Sequence, residues 1–249
     1  MLSRKNWGDY MAKKITIESV RKEMSTSLLA LERTLSQKSQ GIILNPEVLK
    51  SSANAVERKR NSDLWAYNVS GLMLRVDVPQ KTIPVSCISP LQVKINLELE
   101  GRLDDGTGDQ LTKLVLDLGI TSESGEHVCA WHFDRHIEGG NSTDAHPLYH
   151  FQHGGHAMKP YIEELGRSLI LPAPRLAFPP MDAILSIDFV LSNFSGDCWS
   201  SLKKDPTYLH LLRASQRTFW KPYLTSLASW WDAPVQKKQH ISRLLPHLA

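Results

Sequence analysis

Residues 91–120 read LQVKINLELEGRLDDGTGDQLTKLVLDLGI, and two runs within this stretch alternate between apolar and polar residues. The first run extends from Leu91 to Leu99 and the second from Leu114 to Ile120, with the turn-forming residues DDGTGD at 104–109 between them. Successive side chains of a strand point to opposite faces, so this alternation predicts two half-buried strands. A short polar turn between them predicts antiparallel pairing.

The same alternation recurs on both sides of this stretch. It predicts a strand over residues 72–78 and another from His127 to about Ile137, after the turn SESGE at 122–126. Four strands joined by short polar turns favour an antiparallel meander.

Helical periodicity brackets the predicted sheet. Apolar residues follow steps of three and four from Ile17, with Thr16 available as a cap, and a second helix begins at Asn45-Pro46 and runs toward Trp65. Past the proline-rich crossing LPAPRLAFPP at 171–180, the apolar segment MDAILSIDFVLSNF predicts a helix that starts at Pro180, and Asp205-Pro206 starts another. The apolar stripe of the first helix, which we expect to be buried on the domain or against another subunit, contains Val20, Met24, Leu28, Leu31 and Leu35.

These elements predict an α+β fold, in which an antiparallel meander sheet carries packed amino-terminal and carboxy-terminal helices. We expect a helical extension over residues 1–64, a central α+β domain over 65–200 and carboxy-terminal helices over 201–249. At 249 residues and 41% hydrophobic content, the chain is long enough to bury a full core.

Charge and cysteine content limit the cellular location of the protein and the kinds of partner that it could bind. Residues 1–60 contain twelve Lys and Arg against six Asp and Glu, a bias that attracts nucleic acid or acidic proteins, although a solvated helical surface is the interpretation we favour. Cys87, Cys129 and Cys198 form no CxxC pair, which indicates a reducing, cytoplasmic location. No run approaches the roughly 18 apolar residues that a membrane span requires.

Seven of the ten histidines lie between His127 and His156. If residues 127–137 form a strand, one face carries Cys129, Trp131 and Phe133. The other face carries ionisable side chains, which are His132, Asp134, His136 and possibly Glu138. In the following HPLYHFQHGGH segment, alternation places His146 and His150 on one side, and Pro147 with the glycine pair defines a turn. We therefore expect this segment to pack beside the strand.

Three uses of these histidines remain open. A zinc site would draw three ligands from His132, Asp134 and His136, with His146 or His150 as a further ligand, but HExxH and paired cysteines are absent. A metal-free acid–base or oxyanion site would use His146, His150 and Glu138. The third use is structural, with the histidines bonding backbone groups and holding the turn. Cys129 is the best-placed thiol, although a small buried apolar residue is its simpler interpretation.

The order of elements resembles the ubiquitin-conjugating, E2-like fold over about residues 65–195. His146-Pro147 resembles the start of that family's His-Pro-Asn turn, and Pro179-Pro180 with its apolar helix resembles the helix after the active site. Divergent E2-like proteins occur in bacterial ubiquitin-like conjugation operons. The resemblance implies a ubiquitin-like protein and an E1-like enzyme as partners, and catalytic counterparts at Cys129, Glu138, His146 and His150.

The chain departs from that family in two places. Leu148 replaces the expected Asn, and no cysteine lies between His146 and Met181, where the family carries its thioester nucleophile. The resemblance therefore implies either chemistry at Cys129 or a scaffold without thioester activity.

The sequence leaves three functional hypotheses. The first is an E2-like transferase or binding protein for a small protein modifier in a bacterial ubiquitin-like or defence system, working without a cofactor. The second is a zinc-dependent hydrolase or nuclease. The third is a non-catalytic module that binds protein or nucleic acid, or forms homo- or hetero-oligomers, through the amino-terminal helices.

Overall fold

The structure is a computed structural model that describes most of the chain. It describes residues 15–38, 41–58, 63–83, 90–103, 109–136, 145–154, 156–161, 163–164, 171 and 174–248. Cys87, Glu138 and Gly155 lie outside the described residues.

The described strands form one sheet in which each strand pairs antiparallel with its neighbour in sequence. The predicted meander is therefore confirmed, and two further strands extend it. In chain order the strands are β1 (Leu64–Val76), β2 (Leu91–Arg102), β3 (Leu111–Ser122), β4 (Val128–Arg135), β5 (Tyr149–His153) and β6 (Leu176–Ala177).

Helices precede and follow the sheet, as the periodicity predicted. A 3-10 helix spans His156–Tyr161, and a π-helical turn spans Gln216–Trp220. The α-helices are α1 (Ile17–Lys38), α2 (Glu47–Arg58), α3 (Ala183–Phe194), α4 (Gly196–Leu202), α5 (Pro206–Ser215), α6 (Lys221–Ala228) and α7 (Val235–Leu244).

The core lies between one face of the sheet and the helices. Alternate residues of β2 and β3 are buried on that face, while Lys94 and Glu98 between them are exposed. Aromatic rings join the layers, since Phe189 of α3 stacks on Phe151 of β5 with centroids 5.0 Å apart. The α+β class is confirmed, and one continuous core includes residues of α1, the sheet and α3 to α6.

The predicted apolar stripe of α1 packs against its own chain. Leu28, Leu31 and Leu35 are at most 2% exposed, and Val20 and Met24 are partly buried against the same core. Thr16 caps the helix as predicted, because its Oγ1 accepts a hydrogen bond from the amide of Ser19 at 3.2 Å.

The second helix begins at Glu47, directly after Asn45-Pro46 as predicted, but it does not run toward Trp65. The helix ends at Arg58, and Trp65 is fully buried in β1. A register shift between Val69 and Leu72, with Gly71 at φ +72°, interrupts the alternation of β1. The first half of the strand is therefore out of step with the alternation that predicted residues 72–78. Asn45 does not cap the helix, since its side chain donates to the Gly71 carbonyl and accepts from the Met73 amide.

The helix expected at Pro180 begins three residues later, at Ala183. Asp182 caps it by accepting a hydrogen bond from the Leu185 amide at 2.9 Å, so the cap rather than the proline sets the start. The helix expected at Asp205-Pro206 is confirmed as α5. Within the described residues, no helix is long and apolar enough to cross a membrane.

Candidate functional site

The two faces of β4 separate as the sequence predicted. Phe133 is fully buried on the core side, whereas His132 and Asp134 project from the opposite, outer face. The cross-strand register places Asp117 of β3 opposite His132 and His150 of β5 opposite Asp134. Four ionisable side chains from three strands are thus neighbours on the outer face.

His132 lies between two carboxylates. Its Nδ1 donates to Oδ1 of Asp117 at 2.7 Å and its Nε2 to Oδ2 of Asp134 at 3.0 Å. These hydrogen bonds, Asp117 first, raise the pKa of His132 to about 9. His132 is therefore an imidazolium at neutral pH, and both of its ring N–H groups are hydrogen-bonded.

Asp134 joins His132 to the next histidine. Its Oδ1 lies 3.1 Å from Nε2 of His150, within ion-pair distance but without hydrogen-bond alignment. Burial would raise the pKa of Asp134, but the hydrogen bond from His132 and the neighbouring histidine charges outweigh it and hold the pKa below its usual value. Asp134 therefore remains a carboxylate that is hydrogen-bonded to His132 and within ion-pair distance of His150.

His150 is the buried member of the cluster, only 2% exposed. Its Nδ1 lies 3.1 Å from the carbonyl oxygen of Pro147, so the His-Pro turn orients the ring. Burial lowers the pKa of His150 and outweighs the nearby Asp134 carboxylate.

His146 packs between two other imidazoles. Its ring centroid is 3.7 Å from that of His136 and 4.6 Å from that of His150. Burial, followed by the charges that His136 and His150 would carry, lowers the pKa of His146 to about 4. His146 is neutral at pH 7, and its Nδ1 is buried without a hydrogen-bond partner among the described residues.

The expected packing of the HPLYHFQHG segment beside β4 is confirmed. A backbone hydrogen bond of 2.7 Å from the His136 amide to the Leu148 carbonyl holds the end of β4 against the start of β5. The histidine cluster, defined here as Asp117, His132, Asp134, His136, His146 and His150, is therefore continuous across three strands.

Cys129 lies away from the histidine cluster. It belongs to the opposite face of β4, where its Sγ is 3.6 Å from Nε2 of His153. Burial raises the pKa of its thiol, which makes the thiolate scarcer at neutral pH. The structure thus brings His146 and His150 together but does not place Cys129 with them.

The residues of the hypothesised zinc site are not arranged as ligands. His132 donates from both ring nitrogens to carboxylates, which leaves it no lone pair for a metal. In the described part of the chain, no group of three or more His, Cys, Asp or Glu side chains has the geometry of a metal site.

Two residues of this region were not identified from the sequence. Asp117 lies on a different strand, and only the β3–β4 register brings it to His132. Arg175 precedes β6, and its guanidinium is close enough to lower the pKa of His146 and of His150, after the larger effect of burial on each. Its single signal in the sequence is a cation in an otherwise apolar, proline-rich crossing.

Comparison of the chain with family models, curated proteins and solved structures found no match in any of the three.

Proposed function

We propose that this chain is an E2-like protein of a bacterial ubiquitin-like system in the cytoplasm. It binds a small protein modifier and polarises the modifier's carboxy-terminal acyl group with His146. The observation that carries this proposal is the neutral imidazole of His146, held between His136 and His150 with its Nδ1 buried and unpaired.

The order of elements supports the E2-like part of the proposal. An amino-terminal helix precedes an antiparallel meander, and His146-Pro147 leads directly into β5. The apolar helix α3 follows Pro179-Pro180 and packs on the sheet through Phe189. In the E2-like fold, the catalytic turn and the helix that follows it in sequence come in this same order.

The low pKa of His146 favours oxyanion stabilisation over acid–base catalysis. A general base works best when its pKa is close to the working pH, so an imidazole with a pKa of about 4 is a weak base at neutral pH. A neutral imidazole can instead donate its N–H to a carbonyl oxygen as negative charge develops there. We therefore assign His146 to oxyanion stabilisation.

In the proposed reaction, an amine or a water molecule attacks the carbonyl carbon of a modifier thioester. The carbonyl oxygen becomes an oxyanion that accepts a hydrogen bond from His146. The carbon–sulfur bond then breaks, the sulfur leaves as a thiolate, and the proton of the attacking group passes to solvent. Asp134, held by His132, keeps His150 in place against the ring of His146.

Cys129 has no part in this scheme. Burial raises the pKa of its thiol despite the contact with His153 on the other face of the sheet, so the thiolate is scarce at neutral pH. This assignment selects an E2-like scaffold that does not carry the modifier as its own thioester.

The test supplies ubiquitin whose carboxy-terminal glycine carries a small alkyl thioester, which removes the need for an E1-like enzyme. Mass spectrometry follows loss of the thioester in the presence of glycine amide as the acceptor amine. We expect the wild-type chain to accelerate this loss and His146→Ala to reduce the acceleration by about 10²-fold, the typical cost of losing one oxyanion donor.

Two variants on the opposite face serve as controls. His153→Ala and Cys129→Ser should retain the full rate, since both side chains point away from the histidine cluster. Equal rates for wild-type and His146→Ala, no acceleration by the wild-type chain, or a ubiquitin adduct on Cys129 would each overturn the proposal.

A further inference from the structure

Arg175 lies on the outer face of the sheet beside the histidine cluster. The β5–β6 register pairs Ala177 with His150 and Leu176 with Phe151. Because side chains alternate along a strand, Arg175 shares a face with Ala177 and is a diagonal neighbour of His150. The charge of Arg175 adds to the larger effect of burial in lowering the pKa of His146 and of His150, so the guanidinium lies near both rings.

In the region of Arg175, His146 and His150, which we call the arginine corner, two polar atoms lack hydrogen-bond partners among the described residues. The Nη1 atom of Arg175 and the Nδ1 atom of His146 are both buried, and neither has a hydrogen-bond partner within the described ranges. Buried polar groups in proteins are nearly always paired, and an unpaired one calls for a specific explanation. Nη1 of Arg175 is a donor, Nδ1 of His146 is a donor in the tautomer that carries the proton there, and both side chains lie near His150.

The charges around the arginine corner favour a ligand with a single negative charge. The His132 imidazolium is hydrogen-bonded to the carboxylates of Asp117 and Asp134, and His146 is neutral at pH 7, while Nη1 of the Arg175 guanidinium has no hydrogen-bond partner in the described part of the chain. A phosphate dianion would bring two negative charges to a corner with one arginine and a neutral imidazole. A carboxylate brings one, and its two oxygens match the fork of a guanidinium.

We propose that Arg175 and His146 form a binding site for the carboxy-terminal carboxylate of a peptide chain. This inference rests on the proposed function, because the ligand is the end of the free modifier, whose carboxylate is the product that forms when water attacks the thioester. Arg175 binds the carboxylate oxygens directly, and His146 donates its free N–H to one of them.

The test measures binding rather than turnover, so its result is independent of the thioester assay. N-acetylglycylglycine is titrated into the protein at constant ionic strength, and NMR follows the imidazole signals of His146 and His150. We expect saturable shifts of both, with no shift from N-acetylglycylglycine amide, which lacks the carboxylate. Arg175→Gln should weaken binding at least tenfold, and Arg175→Lys should bind between wild type and Arg175→Gln.

Arg213→Gln is the matched control, since Arg213 is exposed on α5, an element that supplies no residue to the histidine cluster. It should bind as wild type does. Unchanged far-ultraviolet circular dichroism of Arg175→Gln would show that loss of binding is not loss of fold.

Other ligands define the outcomes that overturn the assignment. Acetate or inorganic phosphate binding as tightly as N-acetylglycylglycine would contradict a site for a peptide carboxy-terminus. Wild-type affinity in Arg175→Gln, or no saturable shift in the wild-type chain, would remove Arg175 from the site. Thioester turnover that persists beside either result would leave the proposed function standing without this inference.

Discussion

The imidazole rings of His136 and His146 are in contact, with centroids 3.7 Å apart and planes tilted by 34°. Two imidazolium ions at this distance would repel strongly in a partly buried site, so the contact requires at least one neutral ring. The contact joins the end of β4 to the segment that leads into β5, and it places the neutral His146 next to a residue of the predicted ionisable face.

The first prediction concerns Asp117 and stability at alkaline pH. The pKa of His132 is about 9 in the folded protein and about 6.5 in an unfolded chain, so its stabilising charge is fully present below pH 6.5 and is lost as pH rises through 9. We expect a loss of roughly 1–3 kcal/mol over this range, after allowance for solvent screening. Urea unfolding at successive pH values measures it.

Asp117→Asn should flatten that dependence, because it removes the larger of the two effects that raise the pKa of His132. Asp232→Asn, at an exposed position outside the sheet, should leave the dependence unchanged. If the unfolding free energies of wild type and Asp117→Asn changed equally with pH, the His132–Asp117 contact would not exist in solution.

The second prediction concerns His146 and stability at acid pH. The pKa of His146 is about 4 in the folded protein and about 6.5 in an unfolded chain. Between these pH values the unfolded chain binds a proton at this residue and the folded protein does not. Stability is full above pH 6.5 and falls as pH drops toward 4, by roughly 1–2 kcal/mol for this half-buried ring. His146→Gln should reduce this loss, and His153→Gln should not. An equal loss of unfolding free energy between about pH 6.5 and 4 in wild type and His146→Gln would contradict the low pKa of His146.

The third prediction tests Cys129 as a nucleophile. In a variant with Cys87 and Cys198 replaced by Ser, the rate of alkylation by iodoacetamide should rise with a midpoint above pH 9, because burial raises the pKa of the Cys129 thiol from that value. A midpoint below about pH 8 would indicate an activated thiolate and return Cys129 to the candidate catalytic residues.

The fourth prediction tests the packing of α1. Leu31 is fully buried, so Leu31→Asp places a charge in the core and should cost roughly 4 kcal/mol or more of unfolding free energy. Thr26→Asp, at an exposed position on the same helix, should cost less than about 0.5 kcal/mol. Equal melting temperatures for the two variants would mean that α1 is a solvated arm, available for nucleic acid.

Much of the fold was predictable because one face of the sheet is buried. Strict alternation in β2 and β3 predicted both strands and their antiparallel pairing. The first half of β1 was missed because the bulge near Gly71 shifts the alternation by one residue. Asn45 was misread as a cap because its partners, Gly71 and Met73, are more than 25 residues away in sequence.

The histidine cluster was predictable in part. Alternation placed His132 and Asp134 on one face, and the His-Pro turn indicated that His146 and His150 would pack beside them. Asp117 and Arg175 could not be identified, since their place in the cluster depends on the registers of β3 with β4 and of β5 with β6. Register is set by turn geometry and by the packed core rather than by local pattern.

The protonation state of the histidine cluster at pH 7 distinguishes a neutral donor at His146 from a charged ring. Nitrogen-15 NMR of the imidazoles distinguishes a ring with two N–H groups from a neutral ring with one. We expect His132 to carry two and His146 to carry one, with His146 gaining its second proton only near pH 4. A doubly protonated His146 at pH 7, or a neutral His132, would contradict the assignment of His146 as a neutral donor held by a charged His132–Asp134 pair.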